Sequence, residues 1–140
     1  MSEAAPLGIE RIARRVRVDT PFEPTLERTR EALAEQGFGV LTEIDMTATL
    51  AEKTGAQIEP YRILGACRPP LAQQAVEAEP RIGVLLPCNV VVRTEGQSTV
   101  VEALDPKLMA SVVGGGLLDE VANDATQRLD AALAAVEAAG

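Results

Sequence analysis

The order of apolar patterning along these 140 residues predicts an α+β domain in two layers, with helices packed on one face of a mixed, partly antiparallel sheet. Three observations carry that class. Short β-like runs alternate with amphipathic stretches in the order β-α-β-α-β-α-β-β-α. The last two strands flank Thr94-Glu95-Gly96-Gln97, a hairpin loop, which makes that pair antiparallel. A hydrophobic content of 46% over this length suffices for one core, so residues 10–140 read as one domain behind a frayed N-terminus over 1–9.

From Glu10 to Asp19 the even positions Ile12, Val16 and Val18 are apolar, with Arg14 as the exception, the pattern of a half-buried strand. Thr20-Pro21 then opens a helix, with threonine as N-cap and proline at the first helical position. Phe22, Leu26, Thr29 and Leu33 form its inner stripe, and Gly37 supplies the left-handed stop. Phe38 to Ile44 reads as the second strand. Asp45 caps a short helix that Gly55 ends, with Met46 and Leu50 facing inward.

Tyr61 to Cys67 is mostly apolar or small on both faces, which predicts a central strand. Arg68-Pro69-Pro70 must leave it, because proline lacks the ladder donor and pre-sets a helical first turn. The following helix runs to about Glu79 with Leu71, Ala72, Ala75 and Val76 inward, and Pro80 closes it. Ile82 to Arg93 reads as one long apolar strand, with an edge position or a bulge at Leu86-Pro87. Ser98 to Leu104 returns antiparallel. Asp105-Pro106 starts a helical turn that Gly114-Gly115-Gly116 breaks, and the triple glycine reads as a hinge rather than a phosphate cradle. The final helix, Leu117 to about Ala138, sets Leu118, Ala122, Ala125, Leu129, Ala132 and Val136 on one alanine-rich seam, fit for the sheet or for a partner subunit.

Composition removes several classes of function. The net charge is −8, and the stretch after residue 68 holds 10 acidic against 4 basic side chains, a surface that repels phosphate backbones. Nucleic acid is therefore not an expected partner. With no histidine, imidazole bases, histidine-containing triads and histidine-ligated metals are excluded. Only Phe22, Phe38 and Tyr61 are aromatic, too few for a base-stacking platform. No apolar run approaches a membrane span and the start lacks a secretory pattern, so the chain reads as cytoplasmic, with no membrane partner.

Chemistry is then left to thiols, carboxylates, lysines and backbone amides. Cys67 ends a strand just before a helix N-terminus, where amides and the neighbouring Arg68 favour a thiolate; as a free cysteine it also suits plain core packing. Cys88 follows Pro87 inside an apolar run, where packing is the stronger reading. Asn89, amid Leu85-Leu86-Pro87-Cys88 and Val90-Val91-Val92, must find hydrogen-bond partners if buried, or else face a pocket. Two cysteines are too few for a closed zinc site, and no Cys-x-x-Cys is present, so Cys67 and Cys88 are weak metal candidates. Glu43, Asp45 and Asp105 could add ligands, although capping explains the last two. Lys53 and Lys107 read as surface residues.

Gly65-Ala66-Cys67-Arg68-Pro69-Pro70-Leu71-Ala72, Glu79-Pro80-Arg81-Ile82-Gly83 and Leu85-Leu86-Pro87-Cys88-Asn89-Val90-Val91-Val92 together resemble the signature of the bacterial and archaeal domain-of-unknown-function 302 family. Gly37 to Asp45 and Asp105-Pro106 fit it as well, so the resemblance spans roughly residues 10 to 138. It implies an α+β fold and brings no established activity or cofactor. Arg68 stands where the family more often has asparagine, which alters the hydrogen bonding beside Cys67. The expected function is a non-enzymatic, homodimeric module for a small-molecule ligand or a protein partner. Its working surface would be Cys67–Leu71, including Arg68 and Pro69, and Pro87–Asn89. The alternative is a thiol-based redox or metal-handling role for Cys67 and Cys88.

Overall fold

A computed structural model describes residues 8–140. In chain order it holds α1 (Ile9–Ile12), β1 (Ala13–Val18), α2 (Phe22–Glu35), β2 (Gly39–Asp45), α3 (Met46–Thr54), β3 (Tyr61–Cys67), α4 (Pro69–Ala78), a 3-10 helix (Pro80–Leu85), β4 (Cys88–Glu95), β5 (Ser98–Leu104), α5 (Pro106–Val113) and α6 (Asp119–Ala139). Of the tail expected to fray, residues 1–7 lie outside the described residues, and Ile9 opens the α1 turn.

The five strands form one sheet in the order β1-β5-β4-β3-β2. The α+β class is the one expected; the sheet, expected to be mixed, is antiparallel in all four pairings. The reason is topological. β1 and β2, the two strands joined by the α2 crossover, occupy opposite edges, so they never become parallel neighbours.

Side-chain alternation along β3, β4 and β5 sends Leu64, Ala66, Val90, Val92, Val101 and Ala103 to one face, where all are buried. Leu26 and Leu33 of α2 and Leu129, Leu133 and Val136 of α6 close over them to make the main core. The stripes expected on both helices are the buried ones. Thr25 and Thr29 lie under α2 because each hydroxyl donates to a backbone carbonyl one turn back, Pro21 and Thr25 respectively. No side chain caps α2, which begins after Pro21 instead of at a threonine cap. Asp45 and Asp105 do cap, accepting from the N–H groups of Ala48 and Lys107.

The strand expected from Ile82 to Arg93 forms only in its second half. Residues 80–85 wind into a 3-10 helix that buries Ile82 and leaves Val84 88% exposed; β4 starts only at Cys88. Pro80 sits in the first turn, Glu79 accepts from Arg81 N–H, and Pro87 has no donor for a ladder, so the strand begins after it. β4 is then the central strand rather than an edge. Val76, expected inward on α4, is 44% exposed.

Gly65 shows how tightly β2, β3 and the approach to β4 meet. It is buried, and a Cβ there would collide with Thr42 Oγ1 and lie 2.8 Å from Pro87 Cγ. We expect Gly65→Ala to destabilise by about 1–3 kcal/mol through overpacking. Leu129→Ala, which opens a hole between α6 and the sheet, is expected to cost about 2–5 kcal/mol. Urea unfolding of both variants checks this, and a Gly65→Ala midpoint equal to wild type would contradict the close approach.

Candidate functional site

Beyond the main core, α6 carries a second apolar cluster. Leu118 and Ala122 pack there with Ala75 of α4, Ile82 of the 3-10 helix and Ala110 of α5. The two clusters leave between them a cavity with ≈ 50 Å³ of free space. Phe38 and the sheet-end residues Ala66, Cys67 and Cys88 form its floor. Leu71, Ala72 and Ala75 of α4 and Ile82 and Leu86 of the 3-10 segment form one side, and Pro106, Met109 and Ala110 of α5 another. Leu118, at the N-cap of α6, and Val121, Ala122 and Ala125 of α6 close it, and Arg68 completes the lining.

Local sequence explains the arrangement. Pro69-Pro70 ends β3 and starts α4 one residue past Arg68, which fixes Cys67 and Arg68 at the corner. Gly114, Gly115 and Gly116 all have φ near +70°, a run that lets the chain leave α5 and reverse into α6 within a few residues. That reversal brings α5 against α6 and supplies a wall.

Both cysteines are free thiols, Cys67 half-buried and Cys88 buried. Burial pushes the Cys88 thiol up to about 11, with the nearby Cys67 adding to the effect, so at neutral pH it is a protonated, apolar wall element. The helix end beside Cys67 offers less than expected. Pro69 and Pro70 have no N–H, and the amides of Leu71 and Ala72 both donate to the Arg68 carbonyl, at 3.0 Å each. The first turn of α4 therefore presents no free amide to the sulfur.

Arg68 is the one charged side chain in the lining. It lies along the backbone at Gly37, where an added Cβ would be 3.1 Å from its Nε. That Nε is buried with no hydrogen-bond partner, and no carboxylate of the described residues pairs with the guanidinium. Arg62 Nε is also unpartnered, yet its other nitrogens reach Glu43 at 3.0 Å and Asp45 at 3.4 Å. Arg68 has no such compensation.

Other sequence candidates lie apart. Asn89 is exposed on β4, pairs with Gly65, and points to the face opposite Cys88; it needs no buried partner. Pro69 is exposed at the start of α4. Glu43 is bound by Arg30 and Arg62, which hold its carboxyl below the usual range, and Asp45 and Asp105 are occupied as caps. Among the described residues no three Cys, Asp or Glu side chains come together as a metal cluster. The α5 wall was not anticipated as part of a site; the triple glycine was its only signal.

This fold and cavity define a small α+β domain in which two strand ends and three helices enclose an apolar, thiol-lined space. The family described as Domain of unknown function DUF302 matches residues 14–136, and the chain belongs to it. The crystal structure of an uncharacterized conserved DUF302 protein from Bacillus stearothermophilus is similar, with 32% sequence identity over 89% of this chain and 98% of that one, and a TM-score of 0.83. No curated protein matches. No helix of the described residues is long and apolar enough to cross a membrane.

The Cys88 assignment has two readouts. Its folded pKa lies above the ordinary 9.0, so the folded chain holds this proton more tightly than the unfolded one. The stabilisation is intact below the unfolded pKa and is lost as pH rises to about 11. Cys88→Ser is expected to flatten the stability profile over that window. Iodoacetamide should label half-buried Cys67 first, while labelling of Cys88 rises about tenfold per pH unit toward pH 10; a Cys88 rate that levels off below pH 9 would contradict the burial argument.

Proposed function

We propose that this protein is a non-enzymatic module that binds a small molecule in the cavity between β3, β4, α4, α5 and α6. The observation that carries the reading is the apolar cavity itself, at the junction of two strand ends and three helices, with Arg68 the one charged residue in its lining. Apolar walls with few polar groups are the usual make-up of ligand sites. Both free thiols fit a reducing, cytoplasmic setting. Titration with short-chain acids, amides and alcohols, followed by methyl NMR, is expected to shift Ala75, Met109, Ala110 and Ala122 before other methyls. Filling the space with Ala122→Leu should abolish those shifts. A panel that moves none of these methyls would remove the reading.

The homodimer is part of the same proposal and rests on β2. From Gly39 to Ile63 no residue is buried, and β2 is an edge strand with Val40 37%, Leu41 64% and Ile44 44% exposed. Its charged residues are already neutralised at home, Glu43 by Arg30 and Arg62, and Asp45 by Arg62. Two copies can therefore meet β2 to β2 about a two-fold axis without opposed carboxylates, covering an edge that monomers must otherwise protect. Light scattering is expected to give a dimer for wild type and a folded monomer for Leu41→Asp; a wild-type monomer at high micromolar concentration would refute this interface.

A thiol-based role for Cys67 and Cys88 is favoured by their sharing one cavity. The raised pKa of Cys88 weighs against it, since a resolving thiol must ionise readily.

A further inference from the structure

We infer that the ligand of this cavity is an uncharged apolar molecule of about two or three heavy atoms, a short hydrocarbon or its sulfide or halide analogue, held between the ends of β3 and β4 and helices α4, α5 and α6. The inference rests on the cavity being a binding site, as proposed above, and adds the chemical class. Three features of the lining select it.

The first is polarity. Apart from Arg68, every lining side chain is a hydrocarbon, a thiol or a thioether, with no hydroxyl, amide or carboxylate among them, and the surface they present is almost wholly apolar. Arg68 does not alter this, because its buried Nε packs against Gly37, where an added Cβ would lie 3.1 Å from it. The amides of Leu71 and Ala72 are spent on the Arg68 carbonyl. A charged guest would therefore leave its hydration shell without compensation, and a hydroxyl or amide guest would lose hydrogen bonds that nothing here replaces. Water, which needs two to four polar partners in a protein interior, is a poor competitor for such a space.

The second is size. A space of ≈ 50 Å³ is a third of the ~150 Å³ of an engineered apolar cavity that admits benzene, which limits the guest to a fraction of a ring. The third is how the walls are built. Ala72 and Ala75 of α4, Ala110 of α5 and Ala122 and Ala125 of α6 have no rotamers with which to fill the gap, so three helix backbones hold it open and a guest has nothing to displace. It gains the dispersion contacts that the walls otherwise lack. The sulfurs of Cys67, Cys88 and Met109 add polarisable surface, and Cys88, kept protonated at neutral pH by burial, adds it without charge.

The test uses four probes of equal heavy-atom count, propane, ethanol, formamide and formate, with benzene as the oversized control. Each is titrated against the methyl NMR signals of Ala75, Met109, Ala110 and Ala122. Propane is expected to bind most tightly, ethanol about tenfold less, the scale of one buried unsatisfied hydrogen-bonding group, and formamide and formate more weakly still. Benzene should not displace propane. Ala110→Val and Ala122→Leu, which fill the space from different helices, should each weaken propane at least tenfold in a chain whose circular dichroism matches wild type. Ethanol or formate binding as tightly as propane would overturn the apolar class, and benzene binding as tightly would overturn the size; either result leaves the cavity reading standing. If no probe moves these methyls in a folded chain, or if propane binds both folded variants as it binds wild type, the class and the cavity reading fall together.

Discussion

Helix α6 is the member on which the rest of this structure depends, because one seam of small and branched side chains serves two different apolar clusters. Toward its end, Leu129, Leu133 and Val136 press on the sheet with α2. Toward its start, Leu118 and Ala122 face α4, α5 and the 3-10 helix. Alanine at 122, 125 and 132 lets neighbouring backbones come close, and the same smallness leaves space unfilled where four elements converge. The cavity is thus a by-product of the seam that holds the two halves together.

That geometry sorts the corner residues by what they touch. Cys67, Arg68 and Cys88 meet the cavity, while Pro69 and Asn89, their neighbours in sequence, face solvent. Period-two alternation accounts for Asn89, and the start of a helix accounts for Pro69. Two prolines at the head of α4 shape the corner electrostatically as well. They remove amide donors that would have addressed the sulfur, so the cation of Arg68 is the main positive feature left there.

Much of the fold was legible in the sequence. The hairpin between β4 and β5, the aspartate caps and the α6 seam all followed from local rules that tertiary context had no reason to override. The stretch from Ile82 to Pro87 misled because an apolar run reads alike as buried strand and as a wrapped segment; two prolines and Gly83 decided the matter. Val76 shows the limit of helical periodicity where only one flank of a helix is covered. Of the residues named from their chain neighbourhood, Cys67, Arg68 and Cys88 line the cavity. Met109, Ala110 and Val121 could not be named that way, since their place depends on how far α5 swings back, a distance no local pattern encodes.

The pairing of β1 with β5 has a consequence for how the chain folds. Arg14 and Ala103 are register partners although most of the sequence separates them. Of the five strands β1 is the first in the chain and its partner β5 the last, whereas the β2–β3, β3–β4 and β4–β5 pairings each join consecutive strands. The sheet can therefore be completed at β1 only by a contact of high sequence separation, which slows folding, and Arg14 and Asp130 tie β1 to α6 across that contact.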